Sequence, residues 1–160
     1  MISLFKKKNT IELTSPVKGS AIDIKNVPDQ VFASGMLGNG IAFEPIEGVV
    51  YSPCSGEIVN LFPTKHAIGI KTKEGLEILV HIGIDTVEMK GEGFEAFVNV
   101  GDKVKAGDKL ISFDLDLVKS KAKSAISPMV ITNMDIVESM DTIYGECDIN
   151  KVVLKVTLKK

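Results

Sequence analysis

The chain contains no arginine and no tryptophan, and among its 160 residues only two are cysteine and two histidine. Without guanidinium groups it cannot build bidentate clamps on phosphate or carboxylate, so any anion must be held by lysine, histidine, hydroxyls or backbone N–H groups. Cys54 and Cys147 are too few for a disulfide framework and form no metal-ligand motif with a neighbouring histidine. Both read as small filler residues, although Cys54 sits in a proline-rich turn that could expose it. The net charge of −2 lacks the basic excess of a nucleic-acid binder. No apolar run approaches the ~18 residues of a membrane span, so no integral membrane segment is expected. The opening Met1-Ile2-Ser3-Leu4-Phe5-Lys6-Lys7-Lys8 carries its charge after its apolar residues, the reverse of a secretory signal. It suits a solvated tail better than a membrane-surface anchor. The expectation is a cytoplasmic chain with a flexible tail over 1–10 and one domain over 11–160; a start at Met1 and an end at Lys160 without a linker favour a separate protein, with part of a longer fusion as the alternative.

Glycine and proline recur throughout, and short runs rich in Val and Ile lie between them. Strands are expected over 10–14, 20–24, 40–43, 47–51, 56–61, 66–72, 76–82, 109–113 and 151–158. Such spacing predicts an all-β antiparallel sandwich or barrel, because no long helical period separates the strands. One short helix is expected over 114–122, acidic at its start and basic at its end. A second is expected over 133–140 with Asn133 as N-cap. Ser15-Pro16-Val17-Lys18-Gly19 and Ser52-Pro53-Cys54-Ser55-Gly56 repeat a turn-into-strand motif, with Ser127-Pro128 a fainter third copy, which hints at similar halves. The Val-x-x-Gly-Asp-x-Leu pattern also occurs in lipoyl and biotinyl carriers, but Met89-Lys90 is not framed by the symmetric strands that a carrier hairpin needs.

The chemistry rests on His66 and His81, on neighbouring expected strands. A four-residue loop at 72–75 would set the imidazoles directly opposite on one face, and a two-residue loop at 74–75 would leave them diagonal. A one-residue slip would put them on opposite faces. Facing imidazoles suit zinc, but Asp85 is the only obvious third ligand nearby, and the zinc endopeptidases of the lysostaphin type require more histidines than this chain has. They also suit nucleophilic catalysis, one ring accepting a phosphoryl group while the other hydrogen-bonds its oxygens. Thr64, two residues before His66, could fix that ring's tautomer. Buried structural histidines are the plain alternative.

Leu79-Val80-His81-Ile82-Gly83-Ile84-Asp85-Thr86-Val87-Glu88-Met89-Lys90-Gly91-Glu92-Gly93-Phe94 closely resembles the signature of the glucose-family IIA component of the bacterial phosphoenolpyruvate-dependent sugar phosphotransferase system. The resemblance runs from about Ile11 to Lys159, through Val27-Pro28-Asp29-Gln30-Val31-Phe32-Ala33, Gly38-Asn39-Gly40-Ile41-Ala42, Thr64-Lys65-His66-Ala67 and Ser127-Pro128-Met129-Val130-Ile131-Thr132-Asn133-Met134. It implies a β-sandwich of duplicated hybrid motif type and a phosphoryl relay without cofactor. His81 would accept the phosphoryl group from the phosphohistidine of the carrier protein HPr and pass it to a cysteine on the IIB domain of a sugar permease. His66 matches the supporting histidine and Thr64 the hydroxyl that orients it. The resemblance also implies a docking surface of Val31, Phe32, Met36, Leu37, Phe62, Leu79 and Val87, with Asp85 at its rim. Gly69 and Lys71 depart from the polar and acidic residues of the best-known enteric members, which argues against regulation of other targets. A docking module of the same fold, regulatory or bridging zinc through His66 and His81, is the alternative to the relay.

Overall fold

The computed structural model describes residues 9–160, and Met1–Lys8, with the anchor or tail they suggest, lie outside the described residues. Of the expected tail 1–10, Asn9 and Thr10 belong to the fold: the Asn9 carbonyl accepts from the Leu158 amide, and Thr10 pairs with Thr157.

Among the described residues the first seven strands are β1 (Thr10–Thr14), β2 (Gly19–Ile22), β3 (Asn39–Pro45), β4 (Val49–Tyr51), β5 (Gly56–Leu61), β6 (Ala67–Lys71) and β7 (Glu77–His81). They are followed by β8 (Phe94–Ala96), β9 (Lys103–Val104), β10 (Lys109–Phe113), β11 (Ser127–Ile131), β12 (Val137–Thr142), β13 (Gly145–Cys147) and β14 (Val152–Leu158). An eight-stranded sheet runs β13-β2-β3-β11-β7-β6-β5-β9, and two three-stranded sheets run β1-β14-β12 and β4-β10-β8. The architecture is an antiparallel β-sandwich with two short helices, as expected from the strand spacing. The repeat is visible in its bonding: the Thr14 amide donates to the Pro53 carbonyl at 3.0 Å and the Tyr51 amide to the Pro16 carbonyl at 2.7 Å. Each turn motif thus holds the strand leading into the other.

The large sheet separates two apolar layers because alternate residues of a strand point to opposite faces. Ile41, Phe43, Ile78, Val80, Met129 and Ile131 join the main core, whereas their neighbours Ala42, Leu79 and Val130 belong to a smaller cluster with Phe32 and Ile84. Helix α1 (Gln30–Ala33) contributes Phe32 to that second cluster, and the Asp29 carboxylate caps it by accepting from the Val31 amide. At four residues α1 is too short to show a helical period in the sequence. Helix α2 (Leu115–Lys121) is the one expected over 114–122, capped by Asp114.

The second expected helix does not form. Met134–Ile136 is a single 3-10 turn, and the chain then enters β12, paired with β14. Asn133 has no cap to give, because its side chain accepts from the Glu77 amide and donates to the Gly75 carbonyl.

Candidate functional site

The β6–β7 hairpin has a register between the two anticipated. Lys71 faces Glu77 and Ala67 faces His81. The loop closes through the Thr72 amide on the Leu76 carbonyl, with Gly75 at φ +98°. An odd-numbered loop of three residues, a turn followed by a left-handed glycine, sets this register. By strict alternation it would turn His66 away from His81. Yet the two imidazole centroids lie 5.1 Å apart, their planes 76° from one another.

The reconciliation lies in the backbone before β6. His66 is not on the strand, which begins at Ala67, and Lys65 has φ +62°. The two-residue period therefore lapses at His66. Across the hairpin His81 faces the small Ala67 and Leu79 faces Gly69, where a Cβ would lie 3.0 Å from Asn60 Cβ on β5.

Each ring is held through Nδ1. His81 Nδ1–H donates to the Gly83 carbonyl at 2.7 Å, which leaves the lone pair on Nε2. His66 Nδ1 lies 2.5 Å from the Thr64 hydroxyl. With that hydroxyl donating, the ring proton of His66 sits on Nε2. The two imidazoles are then in opposite tautomers, one offering a lone pair and the other an N–H.

The rings stand in an aromatic row. Phe32 packs against His81 at 5.0 Å between centroids, and Phe62 meets His66 edge-on at 5.4 Å. Burial lowers the pKa of His66 to about 4, helped by the neighbouring His81. Burial also lowers that of His81, against the opposing effects of the Gly83 carbonyl and the carboxylates of Asp29 and Asp85. Both imidazoles are neutral near pH 7, the state in which a ring nitrogen is nucleophilic.

Of the expected docking residues, Val31, Met36, Leu37 and Val87 are exposed, and Phe62 and Leu79 are half-buried. Phe32 differs from the expectation of a contact residue: it is 4% exposed and forms the floor under His81. Asp85 is exposed in a left-handed conformation and makes no capping bond, so it does not serve as a turn cap. Asp29 was not singled out in the sequence, although an aspartate just before the short Gln30–Ala33 segment is an N-cap signal. No group of three or more His, Cys, Asp or Glu able to hold a metal is found among the described residues, so the two imidazoles have no third ligand. Cys54 is buried rather than exposed, and burial pushes its thiol up to about 12, so it is unreactive filler.

Paired neutral imidazoles beside aromatic rings, on an antiparallel β-sandwich, are an arrangement suited to the class of small phosphoryl carriers. Residues 11–137 match the family model described as phosphoenolpyruvate-dependent sugar phosphotransferase system, EIIA 1, and the chain belongs to that family. It is 55% identical over 161 residues to the PTS system glucose-specific EIIA component of Bacillus cereus, covering 99% of this chain and 98% of that protein. The Staphylococcus epidermidis protein of the same name is 51% identical over 130 residues, covering 81% of this chain and 78% of the other. Among solved structures, the glucose permease IIA from Mycoplasma capricolum superposes with a TM-score of 0.85 at 42% identity, covering 91% of this chain and 95% of that one. The chain is a IIA component acting as a phosphoryl relay of the phosphotransferase system, and these relatives do not favour the docking-module alternative.

Proposed function

We propose that His81 carries the phosphoryl group as a phosphohistidine, taken from the phosphohistidine of HPr and given to a cysteine of a permease IIB domain. The observation that carries this reading is the pair of Nδ1 contacts, His81 on the Gly83 carbonyl and His66 on the Thr64 hydroxyl, which suit complementary tautomers of the two rings. The Nε2 lone pair of His81 attacks phosphorus as the N–P bond of the donor breaks, its electron pair returning to the donor ring. The positive charge then developing on the His81 ring is stabilised by the Nδ1–H bond to Gly83. His66 Nε2–H is free to donate to a phosphoryl oxygen, the task an arginine performs elsewhere. In the second half-reaction the thiolate of IIB attacks phosphorus and the electron pair returns to His81 Nε2.

The exposed Val31, Met36, Leu37 and Val87, with the half-buried Phe62 and Leu79, form the surface against which HPr and IIB dock, with Asp85 at its rim. Apolar docking excludes water while the phosphoryl group passes between proteins. The relatives' names point to glucose as the sugar served. A relay fed by phosphoenolpyruvate works in the cytoplasm, and no helix among the described residues is long and apolar enough to cross a membrane.

The test is phosphorylation by phosphoenolpyruvate, Enzyme I and HPr, followed by intact mass. Wild type should gain one acid-labile phosphoryl group and His81→Ala none, while His66→Ala takes it up but transfers it poorly. Folded wild type that takes up nothing would overturn the relay through His81.

A further inference from the structure

The three Ser-Pro motifs are not equivalent in three dimensions. Ser15 and Ser52 are fully buried, and their hydroxyls donate forward to the carbonyls of Val17 and Cys54 within their own turns. Ser127, equally buried at the start of β11, donates backward to the Ala125 carbonyl instead. That reversal frees its oxygen to accept from the Gly83 amide at 3.0 Å, 44 residues away in sequence. A second buried hydroxyl reaches the same peptide unit: Thr86 Oγ1 donates to the Ile82 carbonyl at 2.6 Å. The Ile82–Gly83 peptide is therefore held at its C=O by Thr86 and at its N–H by Ser127. The next peptide is held as well, since the Ile84 amide donates to the Ser124 carbonyl. Its own carbonyl, that of Gly83, accepts from His81 Nδ1.

From this geometry we infer that Thr86 and Ser127 are positioning residues for the nucleophile. They form a two-hydroxyl clamp that aims the Gly83 carbonyl at His81 Nδ1 and so keeps the lone pair on Nε2. Gly83 needs such a clamp because it sits at φ +67°, where a glycine has more freedom than any other residue. Without the clamp the Gly83 carbonyl would be held only through the Ile84 amide on Ser124, and the imidazole would populate more of the tautomer with its proton on the attacking nitrogen. Neither hydroxyl touches the ring; both act through the peptide between them. The consequence for rate rests on His81 being the phosphoryl acceptor, but the consequence for the tautomer does not.

The variants are Thr86→Val, Thr86→Ser and Ser127→Ala, with two readouts. One is the His81 tautomer from imidazole nitrogen shifts in the unphosphorylated protein, and the other is the rate of phosphoryl uptake from phospho-HPr. Thr86→Val keeps the shape and loses the hydroxyl; Thr86→Ser keeps the hydroxyl and loses the methyl. The clamp predicts that Thr86→Val and Ser127→Ala each shift His81 toward the Nε2–H form and slow uptake about three- to tenfold, the worth of an ordinary hydrogen bond. Thr86→Ser should keep the wild-type tautomer and rate. A packing role gives the opposite order, with Thr86→Val silent and Thr86→Ser impaired, and that order would overturn the inference. So would unchanged nitrogen shifts in folded Thr86→Val and Ser127→Ala. If wild type takes up no phosphoryl group while the shifts still respond to the hydroxyls, the clamp stands and the relay through His81 falls.

Discussion

His66 and His81 lie with their ring centroids 5.1 Å apart although the hairpin that joins them pairs His81 with Ala67. The pair is made by a loop residue meeting a strand residue. The left-handed Lys65 turns the chain before β6, and the residue paired with His81 is the small Ala67. Thr64, at the same turn, then fixes how that ring is presented.

Replacing Thr64 should separate the two half-reactions. Thr64→Val removes the hydroxyl that donates to His66 Nδ1, so the His66 tautomer is no longer set. Uptake onto His81 should persist, while onward transfer to a IIB domain falls about tenfold, because the donor to the phosphoryl oxygens is presented only part of the time. Thr64→Ser should restore it. Rapid-quench measurement of each half-reaction checks this, and equal slowing of both steps would contradict it.

The lowered pKa values set a pH dependence of stability. His66 falls from 6.5 to about 4 on folding, so between those values the unfolded chain binds more protons than the folded one. Stability should therefore decline as pH drops from about 6.5 toward 4 and level off below, with His81 adding in the same direction. At one pKa unit per 1.36 kcal/mol the His66 contribution is on the order of 3 kcal/mol. Urea midpoints across this range should fall less steeply for His66→Gln than for wild type.

How far the sequence reveals this molecule depends on how far each feature is decided locally. Runs such as Ala67–Lys71 and Glu77–His81 show as strands because their apolar residues alternate or cluster between turns. Lys103–Val104 and Gly145–Cys147 are two and three residues long and are strands only because β5 and β2 lie beside them. Residues 133–140 illustrate the converse: Met134, Ile136, Val137 and Met140 satisfy a helical spacing, and pairing with β14 overrides it. The histidine pair was legible as a proximity, but its register was not, since loops of two, three and four residues all fit Thr72–Gly75. The Ser127 hydroxyl reads in sequence as a turn residue; its bond to Gly83 spans 44 positions and exists only in the fold.

The two glycines that bracket β7 should respond differently to a methyl group. A Cβ at Gly83 would lie 2.7 Å from Thr86 Cγ2 and 2.8 Å from the Ser124 carbonyl oxygen, on a backbone at φ +67°. Gly83→Ala should cost about 2–4 kcal/mol, adding left-handed strain to overpacking. Gly75 has φ +98° and nothing within 4 Å of its Cβ position. Gly75→Ala should cost only the conformational strain, about 1 kcal/mol. Urea unfolding of both variants compares them directly, and equal losses would mean that the crowding at Gly83 relaxes freely.

The apolar residues proposed to serve docking divide into a buried support and an exposed face, and substitution should separate them. Phe32 is 4% exposed, belongs to the second core cluster and supports the His81 ring. Phe32→Ala should lose about 3 kcal/mol of stability or more, the cost of emptying a buried aromatic site. Met36 and Val87 are 76% and 50% exposed. Met36→Asp and Val87→Asp should leave the unfolding midpoint within about 0.5 kcal/mol of wild type, as surface substitutions do. Both should slow phosphoryl exchange, because a charge brought into an apolar contact must be desolvated at each encounter. The defect should appear as a higher KM for HPr with a nearly unchanged maximal rate, since the His81 ring and its supports are untouched. If these variants exchange phosphoryl groups with wild-type KM for both HPr and IIB, the docking surface lies elsewhere on the sandwich.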